Sequence, residues 1–190
     1  MGKNNRKFGP RKTRWTKSKK RIESTFADSV RGRVQVWTTW YGEGHDTLEE
    51  FWLTFDKGRV VSIGAGTFYR EVGRRLERLH EETDATAFNN RDALSGMVFW
   101  TAAEKGVRES GLLTPEEVRR ALSDYPQLSI DDIIGSKNPV IRAFGMLDRR
   151  FGKRRVRSFD TAGEHPLVRT LHGLRCEAER SQRTSGQVLA

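Results

Sequence analysis

The chain reads as an α+β protein: a three-stranded antiparallel meander flanked by helices, followed by a helical C-terminal half. Three observations predict this. Between Arg33 and Ile63, three short stretches alternate apolar and polar residues and are separated by Gly-rich breaks. From Thr67 onward the apolar spacing changes to three and four. Helix-start signals then recur at Thr114, Ser129, Asn138 and His165.

Residues 1–16 mix Gly, Asn, Pro, Lys and Arg without apolar periodicity and read as a flexible basic arm. Thr16 is placed to cap a helix running to about Ala27, with Ile22 and Phe26 four apart on one face. The first strand is Arg33 to Tyr41, with Val34, Val36, Thr38 and Trp40 on one face and Gln35, Trp37, Thr39 and Tyr41 on the other. Phe51 to Phe55 is the second, with Phe51, Leu53 and Phe55 inward. Asp56-Lys57-Gly58 is a hairpin turn in which Gly58 offers positive φ. Arg59 to Ile63 is the third strand, and Gly64-Ala65-Gly66 is a tight turn at its end. Phe68, Val72, Leu76 and Leu79 stripe a helix from Thr67 to about Glu82.

Asp92 to Glu109 is a further helix, with Leu94, Met97, Val98 and Val107 among its apolar positions. Thr114-Pro115-Glu116-Glu117 combines a cap, a first-turn proline and acids at the positive end of the dipole. Ser129 opens a short helical turn. Asn138-Pro139 starts a helix running to Gly152, and His165-Pro166 starts the last one, with Leu167, Leu171 and Leu174 on one stripe. The organisation expected is a flexible arm (1–16), a helix–meander–helix unit (17–88), a helical region packed on it (89–180) and a frayed tail (181–190).

Several stretches resemble an uncharacterised bacterial protein family. Arg14-Trp15-Thr16-Lys17-Ser18-Lys19-Lys20-Arg21-Ile22-Glu23, Phe26-Ala27-Asp28-Ser29 and Gly32-Arg33-Val34 match its N-terminal signature. Asn138-Pro139-Val140-Ile141-Arg142-Ala143, Met146-Leu147-Asp148-Arg149-Arg150 and Gly152-Lys153-Arg154 match its C-terminal one. Glu164-His165-Pro166-Leu167-Val168 and Leu174-Arg175-Cys176-Glu177-Ala178-Glu179 complete it. The resemblance implies a bacterial protein with one co-inherited body and supplies no catalytic residues; the segment before Arg14 looks like an addition to the pattern.

The 190 residues carry 35 Lys+Arg, 25 Asp+Glu and a formal net charge of +10. Ten of the bases lie in residues 1–21, which hold no acid, so the remaining 25 bases balance the 25 acids. The excess belongs to one terminal segment: Lys3, Arg6, Lys7, Arg11, Lys12, Arg14, Lys17, Lys19, Lys20 and Arg21. Such a density releases condensed counterions from a nucleic acid, and Trp15 and Phe8 can stack on exposed bases. The alternatives are a solubilising tail and attraction to an acidic protein or anionic lipid; the last lacks the amphipathic helix it needs in residues 1–16. A second cluster is Arg149, Arg150, Lys153, Arg154, Arg155 and Arg157, with Arg142 upstream. It suits bidentate phosphate contact or, equally, pairing with Glu116, Glu117, Asp131 and Asp132.

The order helix–strand–strand–strand–helix is also that of double-stranded-RNA-binding domains, and Arg70, Arg74 and Arg78 stripe the second helix. Glu71 and Glu77 balance that stripe, and many meanders share the order. His165, His172 and Cys176 fall at i, i+7 and i+11; a capping role for His165 and burial of Cys176 are favoured over a metal site. His45-Asp46 with Glu43, Glu49 and Glu50 reads as a solvated acidic loop. Of Trp37, Trp40 and Trp52, at least two are assigned to the core rather than to a stacking platform.

No apolar run reaches the roughly 20 residues of a membrane helix, and no secretory or myristoylation pattern is present. The single cysteine, Cys176, fits a reducing cytoplasm. No nucleotide-binding loop, nucleophile elbow or paired zinc motif occurs. The expectation is a cytoplasmic protein without enzymatic activity, cofactor, metal or membrane partner. It binds nucleic acid, RNA slightly favoured over DNA, through the two basic segments. The alternative is a protein-interaction or accessory module, for example a defence-associated subunit. A hydrolase using His45 is a third class.

Overall fold

The computed structural model describes residues 11–39, 49–82 and 93–187. Its elements run α1 (Arg11–Glu23), β1 (Val34–Thr39), β2 (Glu50–Phe55), β3 (Gly58–Gly64), α2 (Ala65–Glu82), α3 (Ala93–Glu109) and α4 (Pro115–Asp124). A 3-10 turn (Tyr125–Gln127) follows, then α5 (Ile130–Gly135), α6 (Pro139–Leu147), α7 (Lys153–Arg157) and α8 (Pro166–Gln187). The expected α+β architecture is therefore present: one antiparallel sheet of order β1-β2-β3, helices beside it, and a helical C-terminal half.

Strand alternation decides which way the sheet faces. Val34 and Val36 of β1 and Phe51 and Leu53 of β2 are buried. They meet Ile22 and Phe26 near the N-terminus and Val118, Leu122, Phe144 and Leu147 from the helical half in one continuous core. Phe144 is its hub, with ring centroids 6.2 Å from Phe26, 6.5 Å from Phe51 and 6.1 Å from Tyr125. Gly145 lets α5 close on α6, because a Cβ there would lie 2.5 Å from Ile133 Cγ2. A smaller cluster joins α2 to α3 through Phe68, Val72, Ala103 and Val107.

Several boundaries differ from expectation, each for a local reason. Helix α1 begins at Arg11, so Thr16 lies inside it rather than capping it. Lys and Arg are good helix formers without apolar periodicity. The same helix stops at Glu23, where the Ser24 and Thr25 hydroxyls donate to the carbonyls of Arg21 and Ile22 at 2.7 Å each. In the hairpin, Asp56 (φ 46°) and Lys57 (φ 71°) take the positive-φ positions, and Gly58 is already in β3, paired with Phe55. A two-residue hairpin loop of type I′ needs positive φ at both central residues. Here the strain is offset by Arg33, which donates Nε and Nη2 to Asp56 at 2.9 and 2.6 Å.

Gly64 and Ala65 join β3 directly to α2, so Gly64-Ala65-Gly66 is not a separate turn. In α3, Met97 and Val98 are 66% and 67% exposed, while Val107 is buried. Val98 precedes Val107 by nine residues, about two and a half turns, and so lies on the side away from α2. The helix expected from Asn138 to Gly152 breaks at Asp148, and α7 follows as a separate turn. Helix α8 continues past Arg180 to Gln187. The capping box at Thr114 is formed as expected: its hydroxyl accepts from Glu117 N at 3.2 Å while Thr114 N donates to the Glu117 carboxylate at 2.7 Å.

Candidate nucleic-acid interface

The two basic segments are far apart in sequence, and a short backbone pairing links the residues just after the first to the start of the second. Phe26 and Asp148 form an isolated antiparallel bridge. Around it Ala27 N donates to Leu147 O at 2.8 Å and Arg149 N donates to Thr25 O at 2.9 Å. The end of α1 is thereby fastened to the turn that leads into α7.

Asp148 organises that turn. It is fully buried, and its carboxylate accepts from the Tyr125 hydroxyl at 2.9 Å and from Arg150 N, Nε and Nη2 at 2.8, 3.0 and 2.7 Å. Arg150 Nη1 also donates to Leu128 O at 2.7 Å. Burial, with Asp148 alongside, pushes the Tyr125 phenol far above its ordinary value, while the bonds to Asp148 raise Arg150. A second lock lies in α8, where buried Arg175 donates to Glu179 at 2.7 Å and to Leu147 O at 3.1 Å.

The predicted cations consequently divide. Arg150 is engaged by Asp148. Arg155 pairs with Asp131 at 3.2 Å, Arg157 with Glu179 at 3.6 Å and Arg142 with Glu164. The pairing expected for this cluster is thus realised only at Asp131, since Glu116 and Glu117 serve Arg120 and Arg108 and Asp132 accepts from the Ser129 hydroxyl. Arg149, Lys153 and Arg154 are exposed and have no carboxylate partner among the described residues. On α1, Lys19 pairs with Glu23 at 3.5 Å. Lys17, Lys20 and Arg21 are exposed without such a partner among the described residues. Lys3, Arg6, Lys7 and Phe8 lie outside the described residues; Arg11, Lys12 and Arg14 have only their helical backbone described.

The sheet's outer face carries a pair of indoles expected in the core. Trp37 and Trp52 are cross-strand partners in register, both on the face opposite Val36 and Leu53. Trp37 is 39% exposed and Trp52 half-buried, and their rings stack at 6.3 Å and 13°. The inward placement of Phe51, Leu53 and Phe55 already obliges Trp52 to point outward, so alternation holds the signal. Lys19 Nζ sits 3.7 Å from the Trp37 ring centroid and Arg59 Cζ 4.6 Å from that of Trp52. Trp37 Nε1 donates to Thr54 Oγ1 at 3.2 Å. Glu50 Oε1 accepts from Arg59 at 2.6 Å and from Ser62 at 2.7 Å. Trp40 and His45-Asp46 lie outside the described residues; of the acidic loop, Glu49 pairs with Arg119.

Other candidates are accounted for by structure. In the α2 stripe Arg74 and Arg78 both face Glu71 at 3.4 Å, and Arg75 donates to Gly106 O at 3.1 Å. His165 lines a cavity of about 270 Å³ with Ser62, Thr67, Phe68, Leu113 and Thr170. Its Nδ1 accepts from Leu167 N at 3.1 Å, capping α8 as expected, and burial holds the imidazole below its ordinary pKa. His172 Nε2 lies 2.7 Å from Val156 O and 3.7 Å from Cys176 Sγ, whose thiol burial pushes up. Among the described residues no group of three or more His, Cys, Asp or Glu is placed to hold a metal ion, and no helix is long and apolar enough to cross a membrane.

The stretches that carry the family resemblance are largely these structural parts. Asn138 caps α6 by accepting from Val140 N at 2.9 Å, and Lys19–Glu23, Arg142–Glu164, Asp148–Arg150 and Arg175–Glu179 are ion pairs within those stretches. Lys17, Lys20, Arg21, Arg149, Lys153 and Arg154 are motif positions exposed to solvent without a carboxylate partner among the described residues. No curated protein and no solved structure matches the chain. A family model does match, over residues 14–176, and the chain belongs to the SF0329 protein family.

Proposed function

We propose that this is a non-enzymatic, cytoplasmic nucleic-acid-binding protein, with RNA favoured over DNA. It holds the phosphate backbone on the surface made by α1 and the Arg149–Arg154 segment. One observation carries this reading: the Thr25–Arg149 backbone bond ties the end of the helix that bears Lys17, Lys20 and Arg21 to the segment that bears Arg149, Lys153 and Arg154, and all six are exposed without carboxylate partners among the described residues. Cations without internal partners are the ones available to displace counterions from a polyanion. A non-enzymatic reading is supported by His165, whose Nδ1 is committed to the α8 cap, and by the raised pKa of the Cys176 thiol.

The test is filter binding of RNA and DNA across a salt series. Binding that weakens steeply and log-linearly with salt is expected. Deleting residues 1–21 is a poor control, because it removes Trp15, which packs on Phe51 at 6.2 Å. Replacing the six cations with alanine is the better one. Absence of binding at low salt, or parental binding by that variant, sinks the reading.

A second reading, a protein-interaction module, has its own observation. Tyr69 of α2 and Met97, Val98 and Trp100 of α3 are exposed apolar side chains, with Tyr69 and Trp100 stacked at 6.4 Å. Stoichiometric recovery of one protein after nuclease treatment, abolished by Met97→Asp, favours it.

A further inference from the structure

We infer that the outer face of the sheet is a stacking site for single-stranded RNA, a reading that rests on the nucleic-acid binding proposed above and names the strand it takes. The face is built from Gln35, Trp37 and Thr39 of β1, Glu50, Trp52 and Thr54 of β2, and Arg59 and Ser62 of β3. Its contrast with the inner face is the first argument. The inner positions are aliphatic and phenyl side chains in a sealed core, whereas the outer ones place two indoles in a polar, solvent-accessible row. Tryptophan has both a large π-face and an N–H, and the Trp37 N–H is already satisfied by Thr54. The ring is therefore held in place without being covered on that account. A pre-positioned aromatic surface loses little side-chain entropy on binding.

Charge supplies the second argument. The row reads cation, indole, indole, cation: Lys19 over Trp37, Trp37 on Trp52, Arg59 over Trp52. Both cations also lean on a carboxylate, Lys19 on Glu23 at 3.5 Å and Arg59 on Glu50 at 2.6 Å. A base that stacks on an indole can take the place of a cation on the ring, and the displaced cation keeps its carboxylate partner. Lys19 lies on α1, the helix that also bears Lys17, Lys20 and Arg21.

The strand type follows from the chemistry at the centre. A duplex keeps its base faces stacked inside, so only unpaired bases can use the indoles. Ser62 is the register partner of Trp52 and donates to Glu50 Oε1. The Glu50 carboxylate, which also accepts from Arg59, offers an acceptor beside the ring to a ribose 2′-hydroxyl, which DNA lacks.

The test uses the full chain, at low salt, with three fluorescently labelled probes: a short oligouridylate, the matching oligothymidylate and an RNA duplex. Trp37→Leu and Trp52→Leu are each expected to weaken oligouridylate binding about fivefold to a hundredfold while leaving duplex affinity within about twofold. Trp37→Phe, which keeps a ring, restores most of the affinity. Quenching of tryptophan fluorescence accompanies oligouridylate binding and is reduced in both leucine variants. A thermal melt matching the parent's confirms that each leucine variant is folded; if one is not, Trp37→Phe and the quenching decide alone. Unchanged oligouridylate affinity in folded leucine variants overturns the inference, as does equal weakening on duplex and single strand, or oligothymidylate binding as tight as oligouridylate. Any of these leaves phosphate binding by the six cations standing. A parent chain that binds none of the probes overturns that wider reading instead.

Discussion

The Asp148 turn and the α1–α7 surface contain the same kinds of residue and use them in opposite ways. At the turn, Arg150 is clasped by the buried Asp148 carboxylate, which also holds the Tyr125 hydroxyl, while the backbone of Asp148 pairs with Phe26. One residue before it, Arg149 contributes its backbone N–H to Thr25 and leaves its guanidinium in solvent. Neighbouring arginines therefore do different work: one is tied to a buried carboxylate, the other has no carboxylate partner among the described residues. What separates them is the direction in which the backbone leaves α6, and so a count of charge along the chain cannot tell them apart.

If that division is right, damage at the turn registers as lost stability. Asp148→Ala is expected to destabilise the fold by about 2–4 kcal/mol, because it strands the buried Tyr125 phenol and removes the bonds from Arg150. Urea denaturation measures it. A change below about 1 kcal/mol would mean that the turn is held by its backbone bridge alone. Gly145→Ala comes next. Its methyl would press on Ile133 and Ile134, for an expected cost of about 1–3 kcal/mol with unchanged charge. The two variants together separate the electrostatic from the steric part of the α5–α6–Asp148 corner.

The capping box of α4 offers a smaller effect with a pH signature. Burial pushes the Glu117 carboxyl upward, but hydrogen bonds from Arg108 and Thr114 outweigh it and hold the group below its ordinary pKa. A carboxylate with a depressed folded-state pKa contributes stability that is present above its unfolded value, about 4.3, and lost as the pH falls through the folded value. Glu117→Gln is expected to cost about 1 kcal/mol at neutral pH and to flatten the acid limb of a stability–pH curve. An acid limb identical to the parent's would place the box outside the stability of the core.

Much of the fold was legible because local rules and the core agree. Thr114-Pro115-Glu116-Glu117, Ser129 and Asn138-Pro139 each start a helix, since a cap is satisfied by groups within four residues. The inner faces of β1 and β2 followed from period two. What was not legible depends on partners distant in sequence. The break at Asp148 answers to Phe26 and Tyr125, and neither is near it in the chain. The fate of each arginine in the 149–157 cluster depends on whether a carboxylate folds within reach. For the tryptophans, the alternation that places Phe51 inward also places Trp52 outward; size and apolarity argue for burial and pull the other way.

The smallest expected effect on stability is also the sharpest test of the comparison. Replacing Arg149, Lys153 and Arg154 together with alanine removes three positive charges from motif positions, yet none has a carboxylate partner among the described residues. Stability is expected to stay within about 0.5 kcal/mol of the parent, as for surface substitutions in general. Nucleic-acid affinity is expected to fall, and the slope of log K against log salt to shrink by about one for each phosphate that the variant no longer neutralises. The matched control, Arg155→Ala with Arg157→Ala, removes cations that already lean on Asp131 and Glu179. Because those two carry internal partners, the control should change the salt slope less per charge removed. Equal slopes per charge in both variants would show that pairing inside the fold does not decide which cations meet a phosphate, and the division between the turn and the surface would then hold for stability only.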